Sequence, residues 1–381
     1  MLFTQKQSEA IRARFPALNG MVFLNSAGLT PIPTSCRDIM VEMTQDLCSY
    51  AYLKMANWEK SVIKARQTAA TITGCSPEEM AFVKNTSTGV SIVASGLRLV
   101  PGDEVIINDL EFPSNVYPWL NLERKGVVVR RAKSSDGKVT PDAIAEQVTA
   151  KTKVLAISSI QYATGQRTDL ATLGQMAREK GFLFFVDAIQ SMGSFPMDVK
   201  KLGIHFLSAG GFKWLCGPVG SGIFFCDKEK LDDLDLTVTG WNTVENPVLY
   251  HVIDYKPKNN AQRFEEASGD YIGICGLGES MNVLHSTGID KIGEHVVALT
   301  NYLEEKLLSR GYQILSPRGQ ADKSAIIVVA APSGSTPEDV CKKLDGKKIL
   351  TAPRGGGIRV SPHFFNTTED MDQLLSALGE L

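Results

Sequence analysis

Cysteine is sparse in this chain: seven residues in 381, at positions 36, 48, 75, 216, 226, 275 and 341. The count is odd and no C-x-x-C pair occurs, so neither a zinc knuckle nor a disulfide framework is indicated. Reduced thiols and a cytoplasmic location are the plain expectation. No apolar run approaches the ~18 residues that a spanning helix needs; Ala325 to Pro332 is among the longest. The start, MLFTQKQSEAIRARF, has no apolar stretch after its charges, which argues against a secretory signal. An excess of either charge is missing too. Lys and Arg number 40 against 42 Asp and Glu, a net charge of −2, so nothing favours nucleic acid or an anionic membrane as a partner. Two nucleotide motifs are also absent: G-x-x-x-x-G-K-[ST] anywhere, and G-x-G-x-x-G after the first strand.

What is present is ordinary globular composition, 43% apolar and 22% charged, in a chain long enough for two domains. Short apolar runs alternate with helical patterns. Glu104 to Asn108, Val127 to Arg130, Val154 to Ser158 and Phe182 to Val186 read as strands, with Ile204 to Leu207 and Gly222 to Phe225 as two more. Near-continuous apolarity marks strands covered on both faces. Val116 to Glu123, Asp142 to Val148 and Leu170 to Glu179 read as the intervening helices. The alternation predicts an α/β fold with a mostly parallel, doubly wound sheet. After about residue 240 the pattern changes to long helices, Gly276 to His285 and Ile289 to Leu308, and a short β-rich tail. Residues 55–250 are therefore expected to form a large domain. Residues 1–54 and 251–381 are expected to form a smaller α+β one.

Two segments carry chemistry. In FLFFVDAIQ a buried strand ends in Asp187, with Gln190 three residues on. Ligands of open α/β sheets bind outside the carboxyl ends of strands, and a carboxylate buried there needs a cation; a helix cap or a structural salt bridge is the plainer alternative. In LSAGGFKWLCGPVGSG, Lys213 lies among glycines after another strand end. A lysine so placed is either a solvated loop residue or an amine poised to condense with a carbonyl. Together, a strand-end Asp and a lysine 26 residues later (213 − 187) make the arrangement that pyridoxal 5'-phosphate requires. The lysine bonds the aldehyde and the acid keeps the pyridine nitrogen protonated.

These elements, D-A-x-Q and G-F-K-W-L-x-G-P-x-G, resemble those of fold-type I pyridoxal phosphate enzymes of the class-V aminotransferase family. That group includes cysteine desulfurases, selenocysteine lyases, kynureninases and isopenicillin N epimerase. The likeness runs from Leu24 to Asn366. It implies the fold-type I architecture and a homodimer with shared active sites, and it assigns further positions one by one. Thr86 and Ser87, in KNTSTG ahead of the helical pattern from Val90 to Leu99, would bind the cofactor phosphate, as helix N-termini do. Phe112 takes the place of the residue covering the ring, and Tyr162 stands where desulfurases carry an Asn near the ring's phenolic oxygen. Both replacements are similar to kynureninases. Gln190 matches the residue that bonds that oxygen. The phosphate-binding Ser and His before the lysine are replaced by Gly210 and Phe212, leaving Ser208 as a nearby hydroxyl. Ser268, in RFEEASG, would reach the phosphate of the neighbouring subunit. In the tail RGGGIRVSPHFFN, Arg359 is the choice for the substrate carboxylate. Asn25 and Ala27 would line the same pocket, and His363 would be structural.

Lys348 to Gly357, KILTAPRGGG, is where similar desulfurases carry a nucleophilic cysteine, and it contains none. The sequence therefore predicts a pyridoxal-phosphate-dependent lyase that breaks a C–S or C–C bond at the β carbon of an amino acid without a persulfide-forming cysteine. Transamination or epimerisation by the same machinery is the alternative.

Overall fold

The computed structural model describes residues 1–251 and 253–380. Its twelve strands are β1 Val22–Phe23, β2 Met80–Val83, β3 Glu104–Asn108, β4 Val128–Ala132, β5 Thr152–Ser158, β6 Leu183–Asp187, β7 Phe206–Gly210, β8 Gly222–Cys226, β9 Ile327–Val329, β10 Ile349–Leu350, β11 Ala352–Arg354 and β12 Gly357–Val360. Seven of them form one sheet in the order β2-β8-β7-β6-β5-β3-β4. All the β3–β4, β3–β5, β5–β6 and β6–β7 pairings are parallel. The expected mostly parallel α/β architecture is what the chain adopts.

One strand departs from that pattern: β8 is antiparallel to both its neighbours. The connection from β7 to β8 holds no helix. A parallel return needs a crossover of a dozen or more residues, usually helical, so this short Gly- and Pro-rich link turns the chain straight back. The expected helix from Val116 to Glu123 is reduced to Tyr117–Leu120 and a 3-10 turn. Pro113 and Pro118 each lack an N–H and restrict the residue before them, so that stretch breaks into turns.

The large core covers both faces of the sheet. One face packs Phe184, Val186, Leu207 and Ile223 beside Trp214 and Phe364, while the other packs Val105, Ile107, Phe185 and Phe224 against Trp119. The helix Thr86–Gly96 lies close over β7 because Gly89 has no side chain; a Cβ there would stand 2.3 Å from the Ser208 hydroxyl. A second sheet, of β11, β12 and β9, is antiparallel. It shares a core with the helices Ile289–Ser309, Pro337–Gly346 and Thr368–Gly379 and with Val22 and Leu24. Parallel pairing of Val22 with Ile349 brings the chain's start beside its last third.

Candidate active site

Asp187 and Ser158 are register partners at the carboxyl ends of β6 and β5. Asp187 is 2% exposed. Its carboxylate accepts one hydrogen bond, from the backbone N–H of Ile189 at 3.0 Å. Burial pushes its pKa up from the ordinary aspartate value, and the nearby Glu111 carboxylate pushes the same way; Lys213 opposes them. Lys213 stands on the turn after β7 with its Nζ 5.6 Å from the Phe112 ring centre and 5.9 Å from that of Phe212. Burial pulls its pKa down, against the pull of Asp187, and the Arg359 charge adds to the lowering. Among the described residues the two groups feel each other without forming an ion pair. A buried carboxylate and a buried amine left apart are costly unless something occupies the interval. A ring with a cationic nitrogen at one end and an aldehyde at the other meets both needs, so the residues present fit pyridoxal phosphate.

Arg359, on β12, is 4% exposed. It donates from Nη1 to the Tyr162 carbonyl at 2.9 Å and from Nη2 to the Asn25 side-chain oxygen at 3.3 Å. Among the described residues its Nε has no partner. Burial and the Arg354 charge hold its pKa down to about 10. No carboxylate contributes to that balance, so the guanidinium is buried, oriented by neutral oxygens and open to an acid from outside. Asn25 and Ser361 are bridged between the first strand region and the tail, and the Ala27 N–H donates to the Ser361 hydroxyl oxygen at 3.1 Å.

The aromatic pair stands as a unit. Phe112 and Tyr162 meet edge to face with ring centres 5.0 Å apart. Thr86 and Ser87 lie in the first turn of the helix capped by Asn85, whose side chain accepts from the Thr88 N–H. The Thr86 hydroxyl accepts from the Gly210 N–H at 2.9 Å, and the Ser87 hydroxyl donates to Ser114 at 2.8 Å. Two expected ligands are engaged elsewhere. Ser208 is fully buried and its hydroxyl reaches the Thr86 and Ile223 carbonyls, which ties it to the helix. The Gln190 side chain accepts from the Trp214 indole at 2.8 Å and donates to the Ala27 carbonyl at 3.2 Å. Ser268 is not part of this cluster. It is exposed, on the wall of a cavity of about 280 Å³ that also includes Lys84 and Thr88 and does not include Lys213.

Two buried groups back the site, of which sequence reading named His363 as structural and missed Glu111. His363 is fully buried; its Nε2 lies 2.9 Å from the Trp214 carbonyl, and its Nδ1 accepts from the Phe364 N–H. It thus steadies the residue next to Lys213, and burial holds its pKa down to about 3. Glu111 is the other. Its carboxylate is buried and gathers five hydrogen bonds from Asn108, Asn115, Ser158 and Gln161. An acid directly before Phe112 was the only signal in the sequence.

The class-V aminotransferase family matches residues 22–374. A probable cysteine desulfurase of Methanothermobacter thermautotrophicus is 30% identical over 98% of this chain and 98% of its own length. Among solved structures, cysteine desulfurase from Thermococcus onnurineus superposes with a TM-score of 0.89 at 24% identity, covering 100% of this chain and 99% of that one. The cystine C–S lyase C-DES, solved with its reaction product cysteine persulfide, has a TM-score of 0.89 at 22% identity over 96% of this chain and 99% of its own. These relatives correct one expectation. Cysteine desulfurases form a persulfide, so the predicted lyase without persulfide chemistry does not stand. The physical reason is that residues 348–357 form the strands β10 and β11 and the turn into β12. The lack of sulfur in that one segment does not decide which thiol receives it. The chain belongs to the pyridoxal-phosphate-dependent class-V aminotransferase family.

Proposed function

We propose that this enzyme is a cysteine desulfurase, breaking the bond between the β carbon and sulfur of cysteine or a close relative and passing the sulfur on as a persulfide. The observation that carries the reading is the buried Arg359 guanidinium. It has an unpartnered Nε and no acid of its own, and it acts electrostatically on the Lys213 amine. An amino acid offers the carboxylate that the first lacks beside the amine that the second exchanges with.

Lys213 and Asp187 would hold the two ends of the cofactor, Phe112 would cover its ring, and Thr86 and Ser87 would meet its phosphate. Pyridoxal phosphate, when bound, supplies a sink for the electrons left at the α carbon of an amino acid joined to it. Arg359 takes the substrate carboxylate in a bidentate grip, which fixes the α carbon. Its charge and burial keep Lys213 short of its usual basicity, so the Nζ can be neutral and accept the α proton. Asp187 holds a proton at the opposite end of the ring, where a carboxylate in a low dielectric acts most strongly. Phe112 would stack against the ring and has no titratable group, so it would move no proton itself.

We read residues 55–250 as the cofactor-holding unit and 1–54 with 251–381 as the smaller one; the shared core of Leu24 and Val360 supports this. We also read the molecule as a cytoplasmic homodimer. Ser268 lies away from its own Lys213 and beside exposed Val238, and Trp241 and Tyr250 stack in the open, which suits a second copy. All seven cysteines are free, as in a reducing compartment.

The test is incubation of the purified protein with cysteine, cystine, selenocysteine and alanine, following alanine, pyruvate and sulfide. Borohydride reduction and peptide mapping run alongside. The expected result is sulfur release from a cysteine-type substrate and a pyridoxyl group on Lys213. Turnover confined to amino-group exchange, or a label on another lysine, overturns the reading.

A further inference from the structure

Glu111 is a buried acid that forms no ion pair among the described residues, which is costly unless its lone pairs are satisfied. Here they are. Asn108 and Gln161 donate from their side-chain amides to Oε1, as does the Ser158 backbone N–H at 2.7 Å. Asn115 donates to Oε2 at 3.0 Å, and the Ser158 hydroxyl bonds the same oxygen. Asn115 in turn accepts from the Trp119 indole, which fixes which way its amide points.

These donors come from two separate segments. Asn108, Glu111 and Asn115 flank Phe112, whose ring stands over Lys213. Ser158 and Gln161 end β5 and lead into Tyr162, whose ring meets Phe112 and whose carbonyl accepts from Arg359. The Gln161 Oε1 has no partner, so that side chain is held by Glu111 alone. We propose that Glu111 is a positioning residue: its carboxylate clamps the Phe112 and Tyr162 segments together and so sets both the aromatic cover over Lys213 and the aim of Arg359. The effect on Arg359 can be probed apart from that on Phe112 through Gln161, the residue directly before Tyr162, because its amide binds Glu111 while Ser158 goes on holding the end of β5 to the same carboxylate. This inference rests on the roles given above to Lys213 and Arg359.

The experiment compares Glu111→Ala, Glu111→Gln and Gln161→Met in the full-length holoenzyme. It measures KM and kcat for cysteine, cofactor retention on dialysis from visible absorbance, and hydrogen exchange across residues 108–117 and 158–163. Glu111→Ala should raise KM about tenfold or more, release cofactor faster and speed exchange in both segments, since several buried donors lose their acceptor. Glu111→Gln keeps an oxygen for the three Oε1 donors and should stay within about threefold of wild type. Gln161→Met should raise KM through Arg359 while leaving cofactor retention unchanged, and it carries the test if Glu111→Ala does not fold. Wild-type exchange and KM in both Gln161→Met and Glu111→Ala would overturn the proposal. So would equal damage from Glu111→Gln and Glu111→Ala, which would assign the effect to charge. If the wild type binds no cofactor or turns over no amino acid, the functional reading fails instead, and the exchange comparison still decides the clamp.

Discussion

Two acids lie at and just past the carboxyl ends of β6 and β3, the strands on either side of β5, and the protein treats them oppositely. Glu111 is saturated by five hydrogen bonds, whereas Asp187 accepts one. Both are buried. The saturated one belongs to the framework, because a carboxylate with no free lone pair has nothing left for a ligand. The starved one suits the receptor role proposed for it, because a buried carboxylate with one hydrogen bond still calls for a cation or a proton. Burial alone therefore does not mark a functional acid; unmet demand does.

Asp187→Asn should give the largest effect. Turnover should fall by about 10²–10³-fold or more, the scale of losing a pre-set electrostatic partner at a reacting group, while the fold survives. Steady-state kinetics on protein shown folded by circular dichroism check this, and near-wild-type kcat would remove the contrast between the two acids.

Glu111→Ala should behave in the opposite way in the cofactor-free protein, costing about 3–5 kcal/mol of stability. Asp187→Asn should cost none, or stabilise. Paired denaturant titrations measure both, and equal losses would break the comparison.

Arg359→Ala should raise KM about 10- to 100-fold with a smaller change in kcat, because a carboxylate clamp acts in ground and transition states alike. The variant should also lose discrimination between cysteine and its amide. A wild type that fails to discriminate would place the clamp elsewhere.

The pH dependence of the cofactor-free protein sharpens the contrast with the smallest signal. Asp187 has a folded pKa raised above the ordinary 3.8, so the folded form holds the extra proton. Stability from this group is present in acid and is lost as pH rises from about 4 through the raised value. Asp187→Asn should remove that slope. His363 has the reverse sign. Its folded pKa is lowered from 6.5 to about 3, so stability falls as pH drops through that window. Melting temperatures of wild type, Asp187→Asn and His363→Gln across pH 3 to 8 separate the two contributions, and a Gln variant as acid-sensitive as wild type would exclude His363.

The strands were legible because β5 and β6 are apolar along almost their whole length and the stops after Asp187 and Gly210 are polar or glycine-rich. Lys213 and Asp187 were legible for the same reason, since a strand end is a position that sequence defines. Arg359 was legible only through the family resemblance. Ser208 and Gln190 are expected at the cofactor, and the sequence does not reveal the protein partners that the fold also brings to them. Here those partners are the Thr86 carbonyl and the Trp214 indole.

The sequence by itself determined the mostly parallel sheet, the acid and the amine at adjoining strand ends, and the chemistry that such a pair serves. These depend on local periodicity and on side-chain type, which each segment carries alone. Tertiary structure decided the rest: that β8 returns antiparallel, that Arg359 is left without an acid, that His363 backs Trp214, and that Glu111 is spent on five donors while Asp187 keeps its need. Each is a balance of burial against available partners, and the distant partners, such as Ser158 for Glu111 and Asn25 for Arg359, lie 47 and 334 residues away and arrive only once the chain has folded.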